Sequence, residues 1–205
     1  MKKVFLLTLM VVFVLASTSV YAQEKYALGS SNIALKVDYI KFTDDAFADV
    51  DLEDGVYVGL EIYHALMPNL YLGLEGGWAG TEGDDDANIG GERVDIETDT
   101  TLVPIELNLK FAGEIVPNLV VGVGAGASYS YFEIDADIGD INADEDDWVF
   151  GGQVFAEVTY KIGSFFIGID GKYHFTEDIE IGDGDIETDT NANNWRVGGH
   201  VGLMF

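Results

Sequence analysis

Period-two alternation of apolar and polar residues is the feature that most limits what this chain can fold into. Successive side chains of a strand point to opposite faces, so alternation over about ten residues predicts a β-strand with one apolar face. The alternation recurs in eight segments: 33–42, 56–66, 70–79, 101–112, 119–132, 148–161, 165–175 and 195–205. No later stretch stays apolar for the roughly 20 residues that a membrane-spanning helix needs. The chain is therefore predicted to be all-β, with eight antiparallel strands.

The N-terminus predicts a secretion signal. Lys2 and Lys3 precede an apolar run at 4–16, which is about the length of a signal-peptide core. Val20-Tyr21-Ala22 places small or medium side chains before a cut, so we expect cleavage after Ala22. An uncleaved anchor helix is the alternative. We divide the chain into a signal peptide at 1–22 and one domain at 23–205, a length that fits a single domain.

Aromatic residues stand at the ends of the apolar faces. They are Trp78, Tyr129, Tyr131, Trp148, Tyr160, Tyr173 and Trp195. Aromatic girdles that flank an apolar band are typical of transmembrane barrels. The connections also alternate between short and long, as they do in outer-membrane barrels. A soluble sandwich with its apolar faces turned inward is the competing structure, and these two features favour the barrel.

The opposite faces combine glycines with charged residues of both signs. The interior polar network predicted from these faces consists of Lys36, Glu61, Glu75, Glu106, Lys110, Glu157, Asp170, Lys172 and Arg196. The interior of an eight-stranded barrel is filled by side chains, and buried charges must pair. We interpret the network as a polar plug of salt bridges, with a gated narrow pore as the alternative.

Acidic residues are concentrated in the four long connections. Of the 37 Asp and Glu, 29 lie at 43–54, 80–100, 133–147 and 176–194, and the chain's net charge is -27. Such a charge argues against nucleic acid as a partner, because phosphates need Lys and Arg. A solvated acidic face is one interpretation, and weak binding of Ca²⁺ or Mg²⁺ is the other, since hard cations prefer carboxylate oxygens. The candidate metal residues are Asp84, Asp85, Asp86, Asp144, Glu145, Asp146 and Asp147.

Chemistry on a lipid or peptide would need a nucleophile beside a base. The chain has no Cys and three His, namely His64, His174 and His200. Only His174 has a hydroxyl and a carboxylate close in sequence, in Thr176 and Glu177, and no Ser follows it. We predict no catalytic residue, no enzymatic activity and no cofactor beyond the weak Ca²⁺ or Mg²⁺.

The signal peptide, the hairpin spacing and a last strand that ends on Phe205 resemble the small eight-stranded outer-membrane β-barrel family, of the OmpA-barrel and OmpX kind. The resemblance implies an up-and-down transmembrane barrel in the outer membrane of a Gram-negative-type bacterium, with extracellular long loops. It implies contact with outer-membrane lipids and lipopolysaccharide, recognition of Phe205 by the barrel-assembly machinery, and a monomer.

The function expected from this resemblance and from the acidic loops is structural and interactive. The chain would stabilise the envelope and present an acidic cap to cations or surface partners. A narrow porin-like passage for small solutes is the first alternative, and a lipid-A-modifying enzyme is the second.

Overall fold

The computed structural model describes residues 26–44, 54–89, 92–138, 141–181 and 188–205. Side chains are described over these ranges except at 82–97, 135–145 and 178–190. The predicted signal peptide at 1–22 therefore lies outside the described residues. In the described part of the chain, no helix is long and apolar enough to cross a membrane.

The described residues form ten strands, eight of which close a barrel. The strands are β1 (Ser31–Phe42), β2 (Asp54–Met67), β3 (Leu70–Ile89), β4 (Glu92–Val116), β5 (Leu119–Ile138), β6 (Ile141–Ile162), β7 (Phe165–Thr176), β8 (Asp178–Ile181), β9 (Thr188–Asn191) and β10 (Asn194–Met204). The order around the barrel is β1, β10, β7, β6, β5, β4, β3, β2, and every neighbouring pair is antiparallel. β8 and β9 form a separate two-stranded sheet. The predicted all-β, eight-stranded up-and-down barrel is confirmed.

Tight turns close one end of the barrel, which we call the turn end. They lie at 68–69, 117–118 and 163–164, between β2 and β3, β4 and β5, and β6 and β7. Asn69, Asn118 and Gly163 have φ values of 71°, 69° and 66°. Asn and Gly tolerate this left-handed region, and the prolines before the two Asn suit the first turn position. The segment bounds predict a connection at 113–118. The observed connection is shorter, because β4 continues to Val116.

Long hairpins form the other end, which we call the hairpin end. β3 and β4 stay paired as far as Ile89 and Glu92, and β5 and β6 as far as Ile138 and Ile141. The pairing of β2 with β3, by contrast, already stops at Val56 and Gly80. The prediction of loops over all of 80–100 and 133–147 was therefore wrong in its bounds. Alternation continues through these segments, so ladder pairing extends beyond the barrel.

The two faces of the barrel strands have opposite chemistry. Aliphatic and aromatic side chains such as Leu35, Phe150 and Ile169 point outward and are 59%, 60% and 67% exposed. The charged side chains of the same strands are buried inside. A sandwich would bury the apolar faces against each other, so this arrangement excludes the competing structure. A large outward apolar surface fits a bilayer rather than water.

Apolar residues close the lumen at both ends. The cluster at the hairpin end consists of Ile40, Phe42, Tyr57, Ala79, Leu102, Phe132, Val149 and Ala192. The cluster at the turn end consists of Ala27, Leu28, Tyr63, Tyr71, Ala112, Val120 and Phe155. The charged part of the lumen lies between these two layers, so it occupies an environment of low polarity.

The segment before β1 contributes to the closure at the turn end. Leu28 is 1% exposed, and its backbone N–H donates to the Tyr71 hydroxyl at 2.9 Å. That hydroxyl donates to the Gly29 carbonyl at 3.2 Å. Ser31 and Phe205 exchange backbone hydrogen bonds, each of 2.9 Å, which fix this segment to the end of β10. The segment before β1 therefore closes the lumen at the turn end.

Candidate functional site

The lumen holds the described charged residues that are shielded from water. Six carboxylates and four bases are at most 6% exposed: Asp38, Glu61, Glu75, Glu106, Glu157, Asp170, Lys36, Lys110, Lys172 and Arg196. All nine residues of the network proposed from the sequence are among them, and the tenth is Asp38. The strand register places these side chains on one level or on adjacent levels of the barrel, where they meet.

Like charges are neighbours along the barrel wall. Glu61 of β2 stands opposite Glu75 of β3, and Glu75 stands opposite Glu106 of β4. On the other side, Arg196 of β10 stands opposite Lys172 of β7. Directly opposed like charges on neighbouring strands are destabilising by themselves. The opposed glutamates thus lie on β2, β3 and β4 and the opposed bases on β7 and β10, which we call the two halves of the wall.

Opposite charges meet across the lumen. Lys172 Nζ lies 2.7 Å from Glu75 Oε2 and also donates to Glu106. The Arg196 guanidinium donates to the other oxygen of Glu106. Because both halves of the wall contribute to each ion pair, closure of the barrel is what neutralises the opposed glutamates. Buried ion pairs of this kind are costly to break, since each partner would be left charged without water.

A second group of carboxylates surrounds Lys36. Its Nζ lies 2.8 Å from Asp170 Oδ2, 3.7 Å from Glu75 Oε1, and 4.0 Å from both Glu61 and Asp38. One ammonium group thus faces four carboxylates from β1, β2, β3 and β7. Only the Asp170 contact has the length of a normal charge-assisted hydrogen bond.

Two tyrosines pack against the cations of the lumen. Lys110 Nζ lies 3.1 Å from Glu157 Oε1 and 3.7 Å from the centre of the Tyr63 ring. The Arg196 guanidinium lies 4.3 Å from the centre of the Tyr57 ring. The rings shield these cations and add cation–π attraction. Sequence analysis assigned aromatics to the outward faces and missed these inward tyrosines. They stand at the positions of the strand that alternate with the outward apolar residues.

His200 lies in a hydrogen-bonded row near the turn end. Its Nδ1 is 3.0 Å from Asp170 Oδ1, and its Nε2 is 3.0 Å from the Thr159 hydroxyl. The order hydroxyl, imidazole, carboxylate is that of an activated nucleophile. All three side chains are nevertheless buried, with exposures of 0% to 6%, so a substrate has no route to the hydroxyl. The arrangement fits a structural row within the network.

His174 lies in the lumen, near the hairpin end. Its Nε2 is 2.6 Å from Ser128 Oγ, and its Nδ1 is 3.3 Å from Asn194 Nδ2. The Asn194 amide also donates to the Ala192 carbonyl at 2.8 Å, which fixes its orientation. His174 Nδ1 therefore accepts a hydrogen bond, and Nε2 carries the proton. That is the wrong tautomer for a base that would activate Ser128.

Sequence analysis missed Asn194, which stands opposite His174 on the neighbouring strand β10, and Ser128, whose contact with His174 crosses the strand between them. Ser128 of β5 stands opposite Gly151 of β6, and Gly151 stands opposite Thr176 of β7. A Cβ added at Gly151 would meet both Ser128 Oγ and His174 Nε2. The glycine thus allows a contact that skips one strand. His64, the third histidine, is exposed at the turn end, where its Nδ1 lies 2.8 Å from Ser31 Oγ.

The candidate metal residues lie on the long hairpins at the hairpin end. Asp84, Asp85 and Asp86 belong to β3, and Asp144, Glu145, Asp146 and Asp147 belong to β6. The side chains of all of them except Asp146 and Asp147 lie outside the described ones. Asp147 Oδ1 accepts a hydrogen bond from the Trp148 N–H at 2.7 Å. Among the side chains that are described, no group of three or more His, Asp or Glu residues is arranged to hold a metal ion.

Acids face acids across both long hairpins. In the first, Glu82, Asp84 and Asp86 stand opposite Asp99, Glu97 and Asp95. In the second, Glu133 and Asp135 stand opposite Asp146 and Asp144. Each set follows the two-residue period, so its members share one face of the hairpin. The two hairpins therefore carry ladders of like-charge pairs.

Comparisons with known proteins agree with this architecture. Neisserial surface protein A shares 13% identity over 86% of this chain and 98% of its own, with a TM-score of 0.59. Ail, the attachment invasion locus protein of Yersinia pestis, shares 10% identity over 84% and 97%, with a TM-score of 0.52. OprG from Pseudomonas aeruginosa shares 11% identity over 88% and 100%, also with a TM-score of 0.52. At these identities the likeness is one of fold.

The sequence itself was compared with curated proteins and with family profiles. No curated protein matches the chain. The profile described as "Outer membrane protein beta-barrel domain" matches residues 9–198, which is most of the chain. The same segment contains seven of the eight strands of the closed barrel in full. This chain therefore belongs to the outer membrane protein beta-barrel domain family, and its place is the outer membrane.

Proposed function

We propose that this protein is a sealed outer-membrane barrel with a structural and interactive role, whose acidic hairpins bind divalent cations outside the cell. The observation that carries the proposal is the ladder of opposed acids on the long hairpins. Glu82, Asp84 and Asp86 face Asp99, Glu97 and Asp95 without a base among the six. Like charges placed directly opposite destabilise a strand pair, so a bound cation would stabilise the ladder.

Ca²⁺ and Mg²⁺ are the cations whose chemistry fits. Both prefer oxygen ligands, and Ca²⁺ accepts irregular sets of six to eight carboxylate, carbonyl and water oxygens. Binding would be weak and would involve several sites, because the acids are spread along two hairpins. With the hairpins outside the cell, the same ions could join carboxylates to phosphates of neighbouring lipopolysaccharide. The acidic end would repel polyanions, and we expect no counterpart of the heparin analogue bound in the Ail structure.

The closed lumen supports a structural role. Apolar clusters lie above and below the ion pairs, and the segment around Leu28 adds to the lower one. The partners of such a protein would be the surrounding lipids and lipopolysaccharide, with the chain as a monomer. Phe205, which is 69% exposed at the end of the last strand, would be read by the barrel-assembly machinery.

Calorimetry with Ca²⁺ on the protein refolded in detergent tests the cation proposal. We expect weak uptake of several ions and, at saturation, a higher urea midpoint for unfolding. A variant with Asp84→Asn, Asp86→Asn and Glu97→Gln removes two rungs of the ladder and should lose part of both effects. The matched control is Glu114→Gln, an acid at the turn end that pairs with Lys161. Equal uptake by wild type and the ladder variant would refute the proposal.

A narrow passage for small solutes is the second candidate function. It is favoured by the row of closely spaced ion pairs, since Lys36 faces four carboxylates at 2.8 to 4.0 Å and could exchange partners. Recordings across planar bilayers separate the two candidates. We expect no steady single-channel steps from the sealed barrel. Reproducible steps from pure protein would favour the passage.

A lipid-A-modifying enzyme is not supported by the pairs Ser128 with His174 and Thr159 with His200, which are buried, and the exposed pair of Ser31 and His64 lies at the turn end. Mass spectrometry of lipid A from cells with and without the protein tests this point. We expect identical spectra, and a mass shift that depends on the protein would restore the enzyme hypothesis.

A further inference from the structure

The charges of the lumen do not balance. Among the described buried side chains, the six carboxylates face four basic side chains, three Lys and one Arg. His174 adds no charge, because its Nδ1 accepts a hydrogen bond from the Asn194 amide. His200 can add at most one, because its two nitrogens already lie against Asp170 and Thr159. At least one negative charge therefore remains without a matching cation.

Asp38 is the carboxylate that lacks a donor. It is 1% exposed, and neither of its oxygens accepts a hydrogen bond from a described group. The nearest ammonium, Lys36 Nζ, is 4.0 Å from Oδ2 and lies much closer to Asp170, at 2.8 Å. Glu61 lies at the same distance from Lys36, but of the six carboxylates Asp38 is the one whose two oxygens are both buried without a hydrogen bond. Asp38 is thus where the excess charge is concentrated.

The groups packed around Asp38 give its oxygens no hydrogen bond, although Nε and Nη1 of Arg196 have no hydrogen-bond partner themselves among the described groups. Tyr57 of β2 stands opposite it, but the Tyr57 hydroxyl donates to Glu75 at 3.0 Å. On the other side, Gly198 of β10 leaves the space that the Asp38 carboxylate occupies. The charged groups within electrostatic reach are Lys36 of β1, Glu75 of β3, Asp170 of β7 and Arg196 of β10. Arg196 in turn donates to Glu106.

From this geometry we infer that Asp38 is a proton-binding site, which takes up a proton in the folded barrel in mild acid, at a pH where an exposed aspartate is still ionised. A proton removes the unmatched charge and turns one oxygen into a donor. A metal ion is the less suitable occupant, because no group of three or more acids or histidines among the described side chains is arranged to coordinate one. The folded state then binds a proton that the unfolded chain releases in water.

The consequence is a barrel that is more stable in mild acid than in mild base. Stability falls with rising pH wherever the folded state binds more protons than the unfolded state. An ordinary aspartate that is ionised and paired in the folded state would produce the opposite trend. The sign of the pH dependence that Asp38 contributes therefore tests the inference.

The experiment measures urea unfolding in lipid vesicles with a chelator present, from about pH 5 to about pH 9. We expect the wild-type midpoint to fall as pH rises, and the slope to be reduced by about half or more in Asp38→Asn. Glu177→Gln removes an exposed acid at the hairpin end and should retain the wild-type slope. An unchanged slope in Asp38→Asn would overturn the inference, and so would a midpoint that depends on the choice of Na⁺ or K⁺ at constant ionic strength.

A spectroscopic measurement does not require the variant to fold. Wild-type protein labelled with ¹³C at aspartate side-chain carboxyls should show an infrared band of a protonated carboxyl group at about pH 5, where exposed aspartates are ionised. Where Asp38→Asn folds, it should lack this band. A wild-type spectrum that contains only ionised aspartate would overturn the inference.

Discussion

The lumen and the long hairpins both place acids directly opposite acids, and in the lumen the described bases supply the counter-charges. Glu75 faces Glu106 inside the barrel, as Glu82 faces Asp99 on the first hairpin. Inside, Lys172 and Arg196 reach across from the opposite wall. The hairpins continue past the level at which β2 and β3 stop pairing. Closure therefore decides whether an opposed pair is neutralised by the protein itself or depends on water and ions.

The difference between the two environments also explains why opposed acidic residues are tolerated both in the lumen and on the hairpins. Water and salt screen exposed charges over roughly 10 Å, which lowers the cost of a like-charge pair on a hairpin. Between two apolar layers, such screening is weak, and an uncompensated charge costs several kcal/mol after relaxation, by order of magnitude. The comparison predicts that a neutral substitute will have opposite effects in the two regions.

The largest effect is expected for Glu106→Gln. It leaves Lys172 and Arg196 short of a counter-charge, so we expect a loss of about 3–5 kcal/mol in the free energy of unfolding. Asp99→Asn is the matched change on the hairpin and should be neutral or stabilising by less than about 1 kcal/mol. Urea unfolding in vesicles measures both. Similar losses for the two variants would contradict the comparison.

Gly151→Ala tests whether the lumen is as tightly packed as the contact between Ser128 and His174 indicates. The new methyl group would meet Ser128 Oγ, His174 Nε2 and the Phe175 carbonyl, so we expect a loss of about 1–3 kcal/mol. At Gly113, near the turn end, an added Cβ has nothing within 4 Å, and Gly113→Ala should change stability little. Equal unfolding midpoints for the two variants would show that the lumen repacks freely.

The smallest effect should come from salt. Raising NaCl to about 1 M shortens the screening length to about 3 Å and should stabilise the wild type by roughly 0.2–1 kcal/mol in total. Asp84→Asn combined with Asp86→Asn should reduce this gain, because two rungs of the ladder lose a charge. Glu106→Gln should retain it. A gain that disappears with Glu106→Gln instead would locate the salt response in the lumen.

The two-residue alternation of the sequence is enough to predict part of this arrangement. The inward positions of Glu61, Glu75 and Glu106 follow from alternation, and so does that of Asp38, which lies two residues after Lys36. The sequence prediction omitted Asp38, because it favoured charged residues that have an obvious partner of opposite sign. The strand bounds were less predictable, because the ladders of the long hairpins continue through acidic segments that resemble loops.

The chain's alternation, its turn residues and its aromatic positions determined an eight-stranded barrel with apolar side chains outward, because strand geometry assigns each residue a face without reference to distant parts of the chain. The strand register and the closure between β1 and β10 decided which side chains come into contact. They joined Lys172 to Glu106, placed Ser128 against His174 across a glycine, and left Asp38 without a donor. Such contacts join residues far apart in sequence, and only the closed barrel brings their walls together.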